Sequence, residues 1–291
     1  MSRDTPDALP ELRRPVLLAA FGGWNDAGDA ASAALEHLSL TWDAAELYDI
    51  DPDDYYDYQT SRPMIRSSGG VTRRLEWPST SISYCRIPGG EHDLVLVMGM
   101  EPNLRWRAFC EDIVDVAMAL DVELVVTVGA LLADTPHTRP VPITGSAHTP
   151  EAAAQYGITA STYEGPTGIT GVLQQSFVEA GIPSISLWAS VPHYLGHPPN
   201  PKATLALLER LETILATPIP LGMLPEQTRQ WGESIDDMLS EDDEMSTYVR
   251  ELEEREDSED EPESPGDPLT EVDGDTLAAE FERYLRGRGP E

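Results

Sequence analysis

Asn25, Asp26, Glu101, Asn103, Asp134 and Glu164 are polar side chains close to glycines that follow apolar runs: Gly22 and Gly23, Gly99, Gly129, and Gly165 with Gly168. In an open α/β sheet, ligands bind beyond the carboxyl ends of the strands, where bare backbone can approach closely. The six residues therefore define a candidate crevice for a small ligand, or for a phosphate held at helix N-termini. The competing reading is that the glycines make tight strand-to-helix turns and the polar side chains cap helices. Arg105 and Arg139 are the two cations best placed to clamp an anionic ligand. Arg62, Arg66, Arg73, Arg74 and Arg107 have abundant acidic partners for ion pairs.

Other chemistries find little support. None of the glycine strings is a phosphate-binding loop or a dinucleotide fingerprint. There is no Gly-x-Ser-x-Gly elbow for a serine hydrolase, and Ser146 and His148 fall in a proline-rich loop. His193 and His197 have the spacing of two metal ligands on a helix, but Pro192, Gly196 and Pro198 argue against a helix there. No catalytic residue, metal or cofactor is assigned. A second kind of candidate lies in residues 51–66, where Tyr55, Tyr56, Tyr58 and Arg62 form an aromatic and charged segment. It reads as too polar for a core, and Tyr and Arg are enriched in interface hot spots.

The elements that must hold these residues alternate in character. Residues 15–21, 94–98 and 122–128 are continuous apolar runs and read as fully buried strands. Residues 46–50, 158–161 and 183–191 are further strands. Residues 71–77 and 81–87 read as an antiparallel pair turning at Pro78-Ser79-Thr80. Helices are expected over 26–40, 103–120, 151–155, 169–180 and 201–215; in the second, Trp106, Phe109, Cys110, Ile113, Val114 and Ala117 make one apolar stripe. Residues 129–149 read as a long loop. Buried strands separated by helices imply a three-layer α/β/α domain with a mostly parallel sheet over 14–220, after a flexible stretch 1–13.

Beyond residue 220 the composition changes. Of the residues 233–263, 16 are acidic and 2 basic, and they dominate the net charge of −33 over 291 residues. Residues 221–291 read as an acidic extension, helical over 226–239 and 248–256 and too poor in apolar side chains to order over 258–267. Leu277, Phe281 and Leu285, at four-residue spacing, form a short amphipathic helix. That helix would recruit a partner, dock on its own domain or make a subunit contact. The charge argues against nucleic acid and against an anionic membrane surface, and no apolar run is long enough to cross a bilayer. Two cysteines, Cys85 and Cys110, and an N-terminus without an apolar signal core point to reduced thiols in the cytoplasm.

Six strings now stand in order: Phe21-Gly-Gly-Trp-Asn-Asp-Ala-Gly-Asp29; Asp54-Tyr-Tyr-Asp-Tyr-Gln59 with Arg62-Pro63; Glu76-Trp-Pro78; Gly99-Met-Glu-Pro-Asn-Leu-Arg-Trp106; Gly129-Ala-Leu-Leu-Ala-Asp134 with Arg139-Pro140; and Tyr163-Glu-Gly-Pro-Thr-Gly168. Together they resemble the proteasome assembly chaperone 2 family, in its actinobacterial branch, over residues 14–220. The resemblance implies a phosphorylase/hydrolase-like α/β fold, a homo-oligomer for which a trimer is one arrangement, and proteasome subunits as partners. Eukaryotic members dock through a C-terminal hydrophobic-Tyr-any motif. Here the last residues are Arg286-Gly-Arg-Gly-Pro-Glu291, with Tyr284-Leu285 several positions inside. The leading expectation is a non-enzymatic assembly factor. The alternatives are a nucleoside- or phosphate-directed enzyme or binding protein using the crevice, and a scaffold whose tail recruits another protein.

Overall fold

The computed structural model describes residues 9–259, apart from 69–71, 160, 162, 198 and 241. Leu277, Phe281 and Leu285 lie outside the described residues. Strand β1 (Val16–Gly22) leads into helix α1 (Ala30–Thr41), followed by β2 (Ala45–Ile50), β3 (Met64–Ser68), β4 (Thr72–Glu76), β5 (Thr80–Arg86) and β6 (Asp93–Met100). Then come α2 (Trp106–Ala119), β7 (Leu124–Ala133), β8 (Ile143–Ala147), α3 (Pro150–Tyr156), α4 (Ile169–Glu179) and β9 (Ser184–Pro192). Helices α5 (Pro201–Leu215), α6 (Leu224–Ser240) and α7 (Asp243–Glu259) complete the order.

Seven strands form one mixed, largely parallel sheet in the order β2-β5-β6-β1-β7-β9-β8. The four inner strands β6, β1, β7 and β9 run parallel, while β5 and β8 are antiparallel to their inner neighbours. Alternation along β1 splits the core. Val16, Leu18 and Ala20 face α1 and α5, against Leu35, Leu207 and Leu211. Leu17, Ala19 and Phe21 face α2 and α4, against Phe109, Ile113 and Phe177. A strand buried on both faces has to be apolar at every position, which is why β1 has no polar side chain. The α/β/α layering expected from the alternation is the observed one.

Four expectations are corrected. Residues 72–76 do not pair with 80–86. Instead β4 pairs with β3 as a separate two-stranded hairpin, with Ile65 opposite Leu75 and Arg66 opposite Arg74. Strand β5, carrying buried Ile82 and Cys85, lies inside the main sheet, a place that Arg73 and Arg74 of β4 could not occupy without burying charge. Within the expected loop 129–149, residues 143–147 form the edge strand β8. Residues 158, 159 and 161 are not in a strand but run beside it, with Gly145 N donating to the Thr159 carbonyl and Ser161 N to the Gly145 carbonyl, each at 2.9 Å. The folded unit also continues past 220, to Glu253. Leu224 joins the core under α5, Thr228 donates to the Pro201 carbonyl at 3.2 Å, and Val249 and Leu252 are buried. The remaining unit, 254–291, is described only for the last residues of α7. Among the described residues no helix is long and apolar enough to cross a membrane.

Asp93 fastens the start of the sheet. Its side chain, 1% exposed, accepts from Arg13 N at 2.8 Å and Ile87 N at 3.2 Å, and pairs with the Arg13 guanidinium at 2.7 Å. Burial pushes the carboxyl up, but these hydrogen bonds and the Arg13 charge outweigh it and hold it below its ordinary value. Asp93→Ala is expected to cost about 2 kcal/mol at neutral pH. Because the folded carboxyl is depressed, its contribution is complete above about pH 5 and disappears as pH falls through its folded value. Urea unfolding of both proteins across acid pH checks this: the stability gap narrows in acid, and a gap that widened would contradict it.

Candidate functional site

The chain leaves β1 toward β6 through α1 on one face and crosses from β6 to β7 through α2 on the other. The carboxyl ends of β1 and β7 thus flank the point where the sheet reverses its winding, the place where α/β sheets open a crevice. Asn25 and Asp26 lie here, directly after β1, and Asp26 bridges to Ala130 of β7. Asn25 is fully buried. Its carbonyl accepts from Ala130 N at 2.8 Å, and its Nδ2 donates to Glu101 Oε1 at 2.8 Å. The same Glu101 oxygen accepts from Ile169 N at 2.9 Å, at the first turn of α4. One carboxylate therefore ties the β1 loop, the β6 loop and a helix N-terminus together, the sign of charge that a helix N-terminus favours. Among the described residues Asn25 Oδ1 has no hydrogen-bond partner. It faces Gly168, where a Cβ would come within 2.0 Å of it.

Asp26, three residues before the N-cap Asp29, ties down the first turn of α1. Its two oxygens accept from Ala31 N at 2.7 Å and Ser32 N at 3.2 Å, and burial raises its pKa. Next to this framework opens a cavity of about 770 Å³. Trp24 and Asp29 at its mouth come from the β1 loop, Leu131 and Leu132 from β7, Trp188 from β9 and Gln174 from α4. Trp188 lies against bare Gly129 of β7, where a Cβ would stand 2.6 Å from its ring. A polar chain lines one wall: Ser146 N donates to Ser186 Oγ, the two serine hydroxyls are 2.9 Å apart, and Ser146 Oγ donates to Gln174 Oε1 at 2.9 Å.

The residues expected from sequence divide sharply. Gly22, Gly23, Asn25, Asp26 and Glu101 converge on this crevice, where Gly22 O accepts from Glu101 N at 3.0 Å. Asn103 and Arg105 do not. Asn103 Oδ1 accepts from Asp57 N at 3.0 Å, and Arg105 pairs with Asp54 at 2.6 Å while covering the Tyr55 ring. Asp134 pairs with His193, just after β9, at 3.2 Å, and Arg139 with Glu253 of α7 at 3.5 Å. Glu164 and Gly165 are exposed, and neither lines the cavity. The phosphate reading thus loses both of its cations. The lining that sequence reasoning missed, namely Trp188, Ser186 and Gln174, sits within regular elements; its signal is the bare Gly129 in register with Trp188.

Tyr55 and Tyr56 are corrected from surface to core, at 4% and 3% exposure. Tyr55 donates to Asp112 at 2.5 Å and packs edge-on to Phe109; Tyr56 donates to the Met100 carbonyl at 2.7 Å. A tyrosine whose hydroxyl finds a partner can be buried, so the polar neighbourhood did not exclude a core role. Tyr58 and Arg62 stay nearer the surface. The Tyr58 ring leans on Trp77 at 4.6 Å, and burial together with its hydrogen bond to Asp53 pushes its hydroxyl up to about 12.

Two substitutions test the framework. Gly168→Ala drives a methyl into the Asn25 amide and is expected to cost about 1–3 kcal/mol. Glu101→Ala leaves Asn25 Nδ2 and Ile169 N without their shared acceptor, at a cost of about 2 kcal/mol. Chemical denaturation reads both, and wild-type midpoints in both variants would contradict the arrangement.

The PAC2 family pattern matches residues 20–239. A crystal structure of a Mycobacterium tuberculosis proteasome-assembly chaperone homologue is 53% identical over 80% of this chain and 99% of its own, with a TM-score of 0.75. A PAC2 family protein from Streptomyces avermitilis is 50% identical over 81% of this chain and 99% of its own, at 0.74. Pyrococcus furiosus PbaB, an archaeal proteasome activator, is 17% identical over 79% of this chain and 96% of its own, at 0.65, a likeness of fold alone. No curated protein matches the chain. With a family match that spans most of the sequence and takes in every residue of the Asn25–Glu101–Ile169 framework, the chain belongs to the PAC2 family.

Proposed function

We propose that this chain is a non-enzymatic protein-binding factor that acts in the cytoplasm as a homo-oligomer and assists proteasome assembly. The observation that carries the reading is the 53% identity, over 80% of the chain, to a protein described as a proteasome-assembly chaperone homologue. The site chemistry supports it. Asp26 is occupied by the first-turn N–H groups of α1 and Glu101 as a loop tie, and the serines of the cavity wall have no histidine or lysine among the described lining residues to act as a base. Cys85 and Cys110 are buried free thiols, and burial pushes them up to about 12 and about 11, so neither is set up as a nucleophile.

The β3–β4 hairpin is the surface for self-association. An isolated two-stranded hairpin is only marginally stable in water. This one leaves Met64, Ile65, Leu75 and Trp77 exposed by about half or more, and sets Arg66 opposite Arg74, a like-charge pair that Glu76 offsets on one side by pairing with Arg66 at 3.2 Å. With Arg62 and Arg73 the segment holds 4 of the chain's 19 basic residues, on a molecule of net charge −33. Its occupant is the acidic surface of a second copy. Hairpin-to-hairpin contact would set arginines against arginines, so the contact joins two different surfaces and closes as a ring, of which a trimer is one form.

The expected solution state is a closed oligomer. Ile65→Glu with Leu75→Glu, at exposed positions that do not disturb the core, should reduce it to monomer with unchanged circular dichroism. Light scattering after size exclusion checks this, and a monomeric wild type or an unaffected variant overturns the self-association surface. For the assembly role, deleting the gene should leave unassembled proteasome intermediates visible on native gels. Core particles assembled to wild-type levels in the deletion strain would overturn it.

A further inference from the structure

The cavity at the switch point has a composition that selects its ligand. Its volume of about 770 Å³ falls in the range that encloses a small organic molecule. Two indole rings are part of the walls, Trp188 seated on Gly129 and the exposed Trp24. Trp24 is 67% exposed and Leu132 54%, an apolar surface that a bound molecule would cover. Indole faces bind flat heterocycles by stacking. Three of the six strings that carry the family resemblance supply lining: the β1 loop, the end of β7 and the stretch before α4.

The polar wall fixes what hydrogen bonds remain. Ser186 Oγ accepts from Ser146 N, so its own hydrogen is free for Ser146 Oγ, whose hydrogen in turn goes to Gln174 Oε1. With Oε1 taken, the Gln174 amide is oriented, and among the described residues its Nε2 makes one bond, a long one of 3.4 Å to the Ser146 carbonyl. A second N–H donor is therefore left for an acceptor on the ligand, such as a ring nitrogen or carbonyl. Charge sets the other limit. No arginine or lysine is among the described lining residues, Asp29 is exposed at the mouth, and the chain carries −33 overall. A phosphate or carboxylate would enter this field without a counter-charge.

We propose that this cavity is a binding site for an uncharged aromatic heterocycle that carries a hydrogen-bond acceptor, stacked by Trp24 and Trp188 and fixed by Gln174, with unphosphorylated nucleosides as the class that fits. The site does not rest on the assembly role, and either reading can fail without the other.

The test titrates the full-length protein with the common nucleosides and their 5′-monophosphates, read by tryptophan fluorescence and by calorimetry. At least one nucleoside is expected to quench the fluorescence and raise the melting temperature, because a ligand of the native state stabilises it. Its monophosphate should bind at least about tenfold more weakly. Trp24→Ala, at an exposed position, should weaken binding about tenfold with the melting temperature of the free protein unchanged, and Gln174→Leu, which also gives up the bond to Ser146, should weaken binding about tenfold in a protein whose circular dichroism is that of the wild type. No binding by any nucleoside at millimolar concentration overturns the proposal. So does a monophosphate that binds as tightly as its nucleoside, and so does binding indifferent to both variants.

Discussion

Everything near the switch point depends on the Glu101 carboxylate. One of its oxygens accepts from Asn25 and from the first turn of α4, so the loop after β1, the loop after β6 and a helix from the opposite layer are held to one another. The arrangement is sterically tight as well as polar, since Gly168 leaves room for the Asn25 amide that no other residue would leave. Burying Asn25 there is tolerable because its backbone carbonyl and its Nδ2 are both satisfied. The cavity walls are consequences of this framework, since Trp24 precedes Asn25 and Gln174 rides on α4.

The molecule thereby separates two kinds of surface. At the switch point, Asp26 and Glu101 hold backbone in place, and the cavity beside them is lined by aromatic, apolar and polar side chains with no arginine or lysine among the described residues. On the β3–β4 hairpin the pattern inverts: arginines and exposed apolar side chains sit together on a small sheet outside the main one. Three arginines, Arg66, Arg73 and Arg74, lie on that small sheet, and Arg66 pairs with Glu76 at 3.2 Å.

Much of the fold was legible because burial on both faces leaves an unmistakable pattern. Residues 15–21, 94–98 and 122–128 admit almost no polar side chain, and they became β1, β6 and β7. The glycines after them marked the crevice, and Asn25, Asp26 and Glu101 did come together. Edge elements were harder. Strand β8 has water-facing polar residues and a proline-rich approach, and β4 offered the same alternation whichever strand it paired with. Tyr55 and Tyr56 were misplaced because a buried tyrosine is betrayed only by its hydroxyl's partner, here 57 residues away at Asp112 and 44 away at Met100. The cavity wall was invisible for a related reason: Trp188 and Ser186 lie on a strand that reads simply as core. The ion pairs that took Arg105 and Arg139 out of the crevice likewise join residues far apart in sequence.

The central claim is that this PAC2 protein acts on proteasome subunits, and its most direct measurement is recovery of the tagged full-length chain from its own host. Mass spectrometry would identify what accompanies it, and the mass of the complex would give the stoichiometry. The account predicts a homo-oligomer carrying proteasome subunits at a defined ratio. A homo-oligomer recovered without any proteasome subunit would contradict the claim.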